Sequence, residues 1–249
     1  EFRRVLFRSR LVAQGSIEDV QNAPESQTGR YLLHAMKHPL AVRRGMVSFV
    51  ETLALDAAEA LAPGASYAIS LDTSGTTATT LTSGTGITLS SLNNSIGTVY
   101  LGGAAALNAG SGDIVVTAAN LATSTTVHNI TTTGKIIIQP DADETSFGTA
   151  ISTQYLNFST TATGLTIGKS GNTSGITLAK AQTIAGPITA YGGDITLQSN
   201  LTSSAAGAAI KLMATGTITS NTAANTITTN GGAVLLASDT DGNDLGKIY

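Results

Sequence analysis

The residues best equipped for chemistry lie near the end of the chain, where Asp239, Asp241 and Asn243 set oxygen donors at alternate positions in DTDGND. Calcium is a hard cation that takes oxygen ligands, and a loop delivers them from alternate residues, so the three form a calcium-loop-like set. The EF-hand pattern puts glycine where Asp244 stands, and a polar turn accounts for the same residues. A second acidic group, Asp141, Asp143 and Glu144, follows Pro140. Paired carboxylates in a groove would suit glycoside hydrolysis, and acids holding calcium beside a lysine or arginine base would suit a polysaccharide lyase. No basic residue or histidine is close to this group in sequence, although His128 could approach it across a repeat, so the expectation is a charged corner. His34 and His38 are four apart on a predicted helix but lack a third ligand, which makes them surface histidines. Arg30, Arg43 and Arg44 have no interleaved aromatics and read as solvated charge, not as a nucleic-acid patch. The sequons at Asn129 and Asn200 are what a chain this rich in Ser, Thr and Asn produces by chance. No catalytic residue and no cofactor is expected, with calcium as the single candidate.

The elements that must position these residues are unusual in composition. Only 12% of the 249 residues are charged, against 41% hydrophobic, and cysteine is absent. Ordinary globular domains carry about 25% charged residues, so the solvent face here must be built from Thr, Ser, Asn and Gly. That composition suits sheet surfaces and the turns between them. The lack of cysteine excludes disulfides and thiolate metal sites. No apolar run is long enough to span a bilayer as a helix, so membrane insertion is not expected.

Charge is distributed unevenly. All seven arginines fall within the first 44 residues, whereas residues 46–249 hold five lysines and twelve acids. Such a break predicts at least two unrelated pieces, 1–45 and the remainder. In the first piece a short strand at Arg10–Gln14 should precede a helix capped by Ser16 and ended by Pro24, with a second helix over 28–37. Residues 46–64 form a junction. There MVSFVETLALDAAEAL reads as an amphipathic helix stopped by Pro63-Gly64; Glu51, Asp56 and Glu59 argue against a signal peptide. From Tyr67 the period changes, and Tyr67, Ile69 and Leu71 alternate as a strand.

Beyond residue 86 the chain repeats itself. Glycine-led strands recur as GITL, GDIVV, GKIII, GLTI, GITL, GDITL, GTI and GAVLL, each setting two apolar side chains on one face. The most legible copy, Gly192–Leu212, reads as glycine turn, strand, polar corner and second strand. Steps such as Gly112 to Gly134 and Gly193 to Gly232 lie near 20 residues or a multiple of it, the period of a solenoid coil. About eight coils are expected, stacked at roughly 4.8 Å each. A single coil cannot hold itself together and depends on its neighbours.

Three resemblances accompany these patterns. Residues 1–9, EFRRVLFRS, are similar to a translated sequencing adapter. RLVAQGSIEDV, ESQTGRYL and HPLAVRR, within residues 10–44, resemble the close of the first ATPase half in the UvrA family of excision-repair ATPases. With no GxxxxGK[ST] loop and no cysteine, that resemblance implies a fragment without ATPase activity. TGLTIGKSGNTSGITLAKAQTIAGPITAYGGDITLQSNLTSS, within residues 65–249, resembles the repeats of filamentous-haemagglutinin-like bacterial surface adhesins. The last resemblance implies a right-handed parallel β-helix exported to the cell surface.

The fold expected is therefore all-β, a right-handed parallel β-helix over 65–249 with a short helical N-terminal segment. The function expected is a non-catalytic structural and adhesive region of a secreted or surface-exposed protein. Its partner would be a host or neighbouring-cell surface glycan or protein, and open coil ends would favour end-to-end self-association. The alternatives are a β-helix polysaccharide lyase or hydrolase, the inactive ATPase fragment, and an ice-binding solenoid suggested by Thr131-Thr132-Thr133. The scattered acids and the missing arginines of the body weigh against the enzyme, and uneven coil lengths weigh against the ice-binding ladder.

Overall fold

The computed structural model describes residues 69–71, 79–91, 97–141 and 144–249. The expected strand at Arg10–Gln14, all the expected helices, His34, His38, the arginines and Asp143 lie outside the described residues. Within them there is no helix. The described residues open with β1 (Ile69–Leu71), β2 (Thr80–Thr82) and β3 (Gly86–Ser91). That triplet then recurs as β4 (Thr98–Leu101), β5 (Ala106–Asn108), β6 (Asp113–Ala118), and as β7 (Asn120–Thr123), β8 (His128–Thr131), β9 (Lys135–Gln139). Next come β10 (Ile151–Ser152), β11 (Leu156–Phe158), β12 (Gly164–Ile167), and then β13 (Ile176–Leu178), β14 (Gln182–Ile184), β15 (Ile188–Gly192). The last two triplets are β16 (Ile195–Leu197), β17 (Leu201–Ala206), β18 (Ile210–Ala214), and β19 (Ile218–Ser220), β20 (Ile227–Asn230), β21 (Val234–Ala237).

Among the described residues every third strand belongs to the same face, and every pairing is parallel. The face carrying β3, β6, β9, β12, β15, β18 and β21 is one unbroken seven-stranded sheet. The face begun by β1 is split into three-stranded and four-stranded ladders, and the face begun by β2 into four and three. This is a three-sided parallel β-solenoid of about six turns, not the eight coils expected. The difference has a simple origin. GITL at 86–89, GDIVV, GKIII, GLTI and GAVLL lead strands of the seven-stranded face, but GITL at 175–178, GDITL and GTI lead strands of the β1 face. Counting all of them as one series mixes two sides of the same coils. Gly193 accordingly corresponds to Gly216, not to Gly232, and Gly192–Leu212 contains three strands, β16 to β18, where two were expected.

The core is an internal column of aliphatic side chains. Ile87, Ile114, Ile136, Leu165, Ile188, Ile210 and Val234 stand in register through the seven-stranded face, and Leu89, Val116, Ile138, Ile167, Ala190, Leu212 and Leu236 form the row beside them. Alternation follows from the pleat: Ile188, Ala190 and Gly192 of β15 are buried, while Thr189 and Tyr191 face outward. One step along the Ile87 column takes between 22 and 29 residues. The slack is taken up at the corners, so the ladders keep their register. Where the β2-side ladder is interrupted between β11 and β14, the Gln182 side chain donates from Nε2 to the Leu156 carbonyl at 3.2 Å and bridges the gap.

Glycine appears where coils touch. A Cβ on Gly112 would stand 1.9 Å from the Thr85 carbonyl oxygen, and one on Gly232 would stand 1.9 Å from that of Ala208. These corners bring backbone onto backbone, and only hydrogen fits between. At the far end β21 is the outermost strand of its sheet, and Val234, although its register partner Ile210 is wholly enclosed, is 47% exposed. On the β1 face the chain continues one step further, with the Ile218 N–H donating to the Lys247 carbonyl at 2.8 Å and the Tyr249 N–H to the Ile218 carbonyl at 3.0 Å.

Candidate functional site

The solenoid offers two kinds of surface, flat columns on its faces and side-chain clusters at its corners. On the β1 face Thr177, Thr196 and Thr219 stand in register, preceded by Ser152. On the β2 face Thr183, Thr202 and Thr228 do the same. In-register parallel pairing at these positions, ahead of the shift between Ser203 and Ala206 in β17, puts each hydroxyl about 4.8 Å from the next. Thr131-Thr132-Thr133 is not part of such a column. It turns a corner, with Thr132 buried and its hydroxyl receiving the Gly134 N–H at 2.8 Å.

The corners are tied by side chains reaching from one coil to the next. Asp113 Oδ1 accepts the Lys135 N–H at 2.7 Å, and Asp194 Oδ1 accepts the Thr217 N–H at 2.7 Å. Asn172 is buried and fully used: Oδ1 accepts from the amides of Phe147 (3.3 Å) and Ser174 (3.1 Å), and Nδ2 donates to the carbonyls of Ser174 (3.2 Å) and Tyr191 (2.7 Å). It therefore joins three successive coils at one corner. The sequon asparagines have the same occupation. Asn129 Oδ1 accepts from Asn157 Nδ2 at 2.8 Å, and Asn200 Oδ1 accepts the Thr226 N–H at 2.9 Å.

The sequence-predicted residues are placed as follows. Asp239, with φ of 56°, folds its carboxylate back on its own loop. Oδ1 accepts the amides of Asn243 at 2.9 Å and Asp244 at 3.0 Å, and Oδ2 accepts Asp244 again at 3.1 Å. Asn243 Nδ2 donates to Asp241 Oδ2 at 2.8 Å, so the oxygens of Asp239 and Asp241 face donors within the loop. Among the described residues no group of three or more His, Cys, Asp or Glu side chains is placed to hold a metal ion. Asp141 is buried, and Lys169, distant in sequence, donates from Nζ to its carbonyl oxygen at 2.8 Å. The basic neighbour that the sequence did not bring to this acidic corner is thus supplied by the following coil.

His128 turns inward. It opens β8 with 0% exposure, Nδ1 lying 3.1 Å from the Ala105 carbonyl oxygen and Nε2 lying 3.3 Å from Ser124 Oγ. Sequence reasoning missed Ser124, because nothing in TSTTVH says that the chain turns a corner there. One hollow of about 430 Å³ opens beside the register shift in β17, lined by Thr163, Pro187 and the small residues of 185–186 and 205–209. Its walls are methyl groups and backbone, with little to fix a ligand's orientation. No protein-family model, curated protein or solved structure matches the chain.

Proposed function

We propose that the chain is a non-catalytic structural and adhesive region of a secreted or surface-exposed bacterial protein, a right-handed β-helix that holds repetitive polar faces away from its anchor. The observation that carries this reading is the pair of threonine columns, Thr177/Thr196/Thr219 and Thr183/Thr202/Thr228, on adjacent sides of the same coils. Hydroxyls repeated at about 4.8 Å form a surface suited to many weak contacts with a glycan or a protein, which multivalency turns into adhesion. The right hand follows from the general chirality of parallel crossovers, which are right-handed in about 98% of cases. The absence of arginine from residues 46–249 speaks against a nucleic-acid partner. Exposed Val234 and Leu235 on the outermost strand favour end-to-end association of copies. The arginine-rich residues 1–45 are read as a foreign, adapter-like and UvrA-like segment joined to this body.

Beads coated with the full chain should adhere to a glycan-bearing cell monolayer. Changing Thr177, Thr196 and Thr219 together to lysine should abolish adhesion while leaving the far-ultraviolet circular dichroism unchanged. Equal adhesion of the triple variant would remove the threonine face from the proposal. The second reading, a polysaccharide lyase or hydrolase, draws on Lys169 beside Asp141. Turnover of pectin or alginate that disappears in Lys169→Met would replace the first reading with this one.

A further inference from the structure

The corner between β7 and β8 brings a buried histidine against a serine hydroxyl. His128 is enclosed, and the group facing its Nδ1 is the Ala105 carbonyl oxygen. A carbonyl oxygen can only accept, so the ring proton sits on Nδ1 and Nε2 presents a lone pair. Ser124 Oγ stands 3.3 Å from that lone pair. A buried acceptor left without a donor costs about 1–3 kcal/mol, and no solvent reaches an imidazole with no exposed surface. Ser124 Oγ also donates to the Gly103 carbonyl oxygen at 2.9 Å and lies 2.7 Å from Thr126 Oγ1. Gly103 is half-exposed and can be served by water, and Thr126 is exposed and can donate to Ser124. Rotation about the Cβ–Oγ bond turns the serine proton between the Gly103 carbonyl and Nε2, and Nε2 is the acceptor that water cannot serve.

Nucleophile, base and a third group orienting the base are the three parts of an activated serine. We propose that Ser124 is an acylation site, with His128 as its general base and the Ala105 carbonyl fixing the tautomer. The co-reactant is an activated ester. In the step the Ser124 hydroxyl proton passes to His128 Nε2, the bond from Oγ to the acyl carbon forms and the ester C–O bond breaks. The departing alkoxide takes the proton back from Nε2, so charge and atoms balance. Ser124 is half-buried with exposed residues 125–127 beside it, so the acyl donor approaches from solvent at the corner. One acyl group per chain is the outcome, and this chemistry stands apart from the adhesive reading.

The test uses the full chain and a fluorophosphonate probe, which reports the same activated oxygen by forming an Oγ–P bond as the P–F bond breaks. Intact mass should show one adduct per chain, and peptide mapping should place it on Ser124, with the many other Ser and Thr residues as internal controls. Ser124→Ala should lose the adduct, and His128→Gln should slow labelling by about 100-fold, the range of a lost general base. Because His128→Gln sits in the core and can unfold the coil, labelling of the wild-type chain in concentrated urea gives the same comparison without a variant: the Ser124 adduct should vanish there. Labelling of Ser124 no faster than of other serines, or undiminished in urea or in a folded His128→Gln, overturns the proposal.

Discussion

Gly186 is the position at which the stacking argument makes its sharpest prediction. It turns the corner into β15, and a Cβ placed on it would lie 1.7 Å from the Thr163 carbonyl oxygen and 2.2 Å from the Thr163 carbonyl carbon. Both obstacles are backbone, so no rotamer change relieves them. Reaching an ordinary contact of 3.4 Å demands a displacement of more than 1 Å in a ladder whose spacing is only about 4.8 Å. Two bonds are lost with it: the Gly186 N–H to the Ala162 carbonyl at 3.1 Å, and the buried Ser203 hydroxyl to the Gly186 carbonyl at 2.8 Å. At about 1 kcal/mol net for each bond and about 1–3 kcal/mol for the overpacked backbone, Gly186→Ala should destabilise by about 3–5 kcal/mol. Gly84 is the control, since a Cβ there meets nothing within 4 Å and its backbone is not left-handed. Gly84→Ala should be neutral, or stabilise by up to about 1 kcal/mol through the unfolded chain. Urea unfolding followed by circular dichroism should show the midpoint of Gly186→Ala falling by about 1 M or more with the slope unchanged, and that of Gly84→Ala holding or rising. Coincident midpoints for Gly186→Ala and wild type would refute close backbone approach as the reason for glycine at the corners.

The remaining predictions concern the column, the corner and the loop. Ile210→Ala, wholly enclosed between Ile188 and Val234 in the column, should cost about 2–5 kcal/mol, whereas Leu235→Thr on the exposed side of β21 should change urea stability by less than about 0.5 kcal/mol. Asn172→Ala strands the amides and carbonyls of three coils and should cost about 3 kcal/mol or more; Asn157→Ala, whose bonds to Asn129 and Lys180 are exposed, should cost less than about 1 kcal/mol. Millimolar calcium should leave the melting temperature unchanged, because the Asp239 carboxylate is already taken up by the amides of Asn243 and Asp244. A calcium-dependent rise, absent in Asp239→Asn, would assign the loop a cation after all.

Legibility in the sequence stopped at the range of the local code. Alternation of apolar and polar residues was enough to find the strands and to say which side chains point inward, as at Ile136 and Ile138 of β9. It was enough to find a coil period too, because Gly112 and Gly134 do lead adjacent strands of one sheet. The clusters with chemical character escaped it. Lys169 meets Asp141 only because one coil lies on another, and Ser124 meets His128 only because the chain bends between β7 and β8. Such contacts join residues through the coil stack or around a corner, and no local pattern carries that information.

The limit is clearest in a pair of identical tetrapeptides. GITL occurs at 86–89 and again at 175–178, and both copies form strands with Ile and Leu inward and Thr outward. The first lies in the seven-stranded sheet and the second in the β1-side ladder, on another side of the solenoid. The same four residues therefore fix a strand and its inward face without fixing which wall it builds. What decides the wall is the ladder partner: Ile87 is matched to Ile114, whereas Ile176 is matched to Ile151 before it and Ile195 after it. Those matches are settled by how many residues each corner consumes and by ties such as Asn172, which holds the corner immediately before the second GITL against the coils on either side. In this chain the strands are nearly interchangeable and the corners are not, so substitutions that alter the identity of the coil stack should concentrate at Gly186, Asn172, Asp194 and their kin, not in the repeated strands that first make it legible.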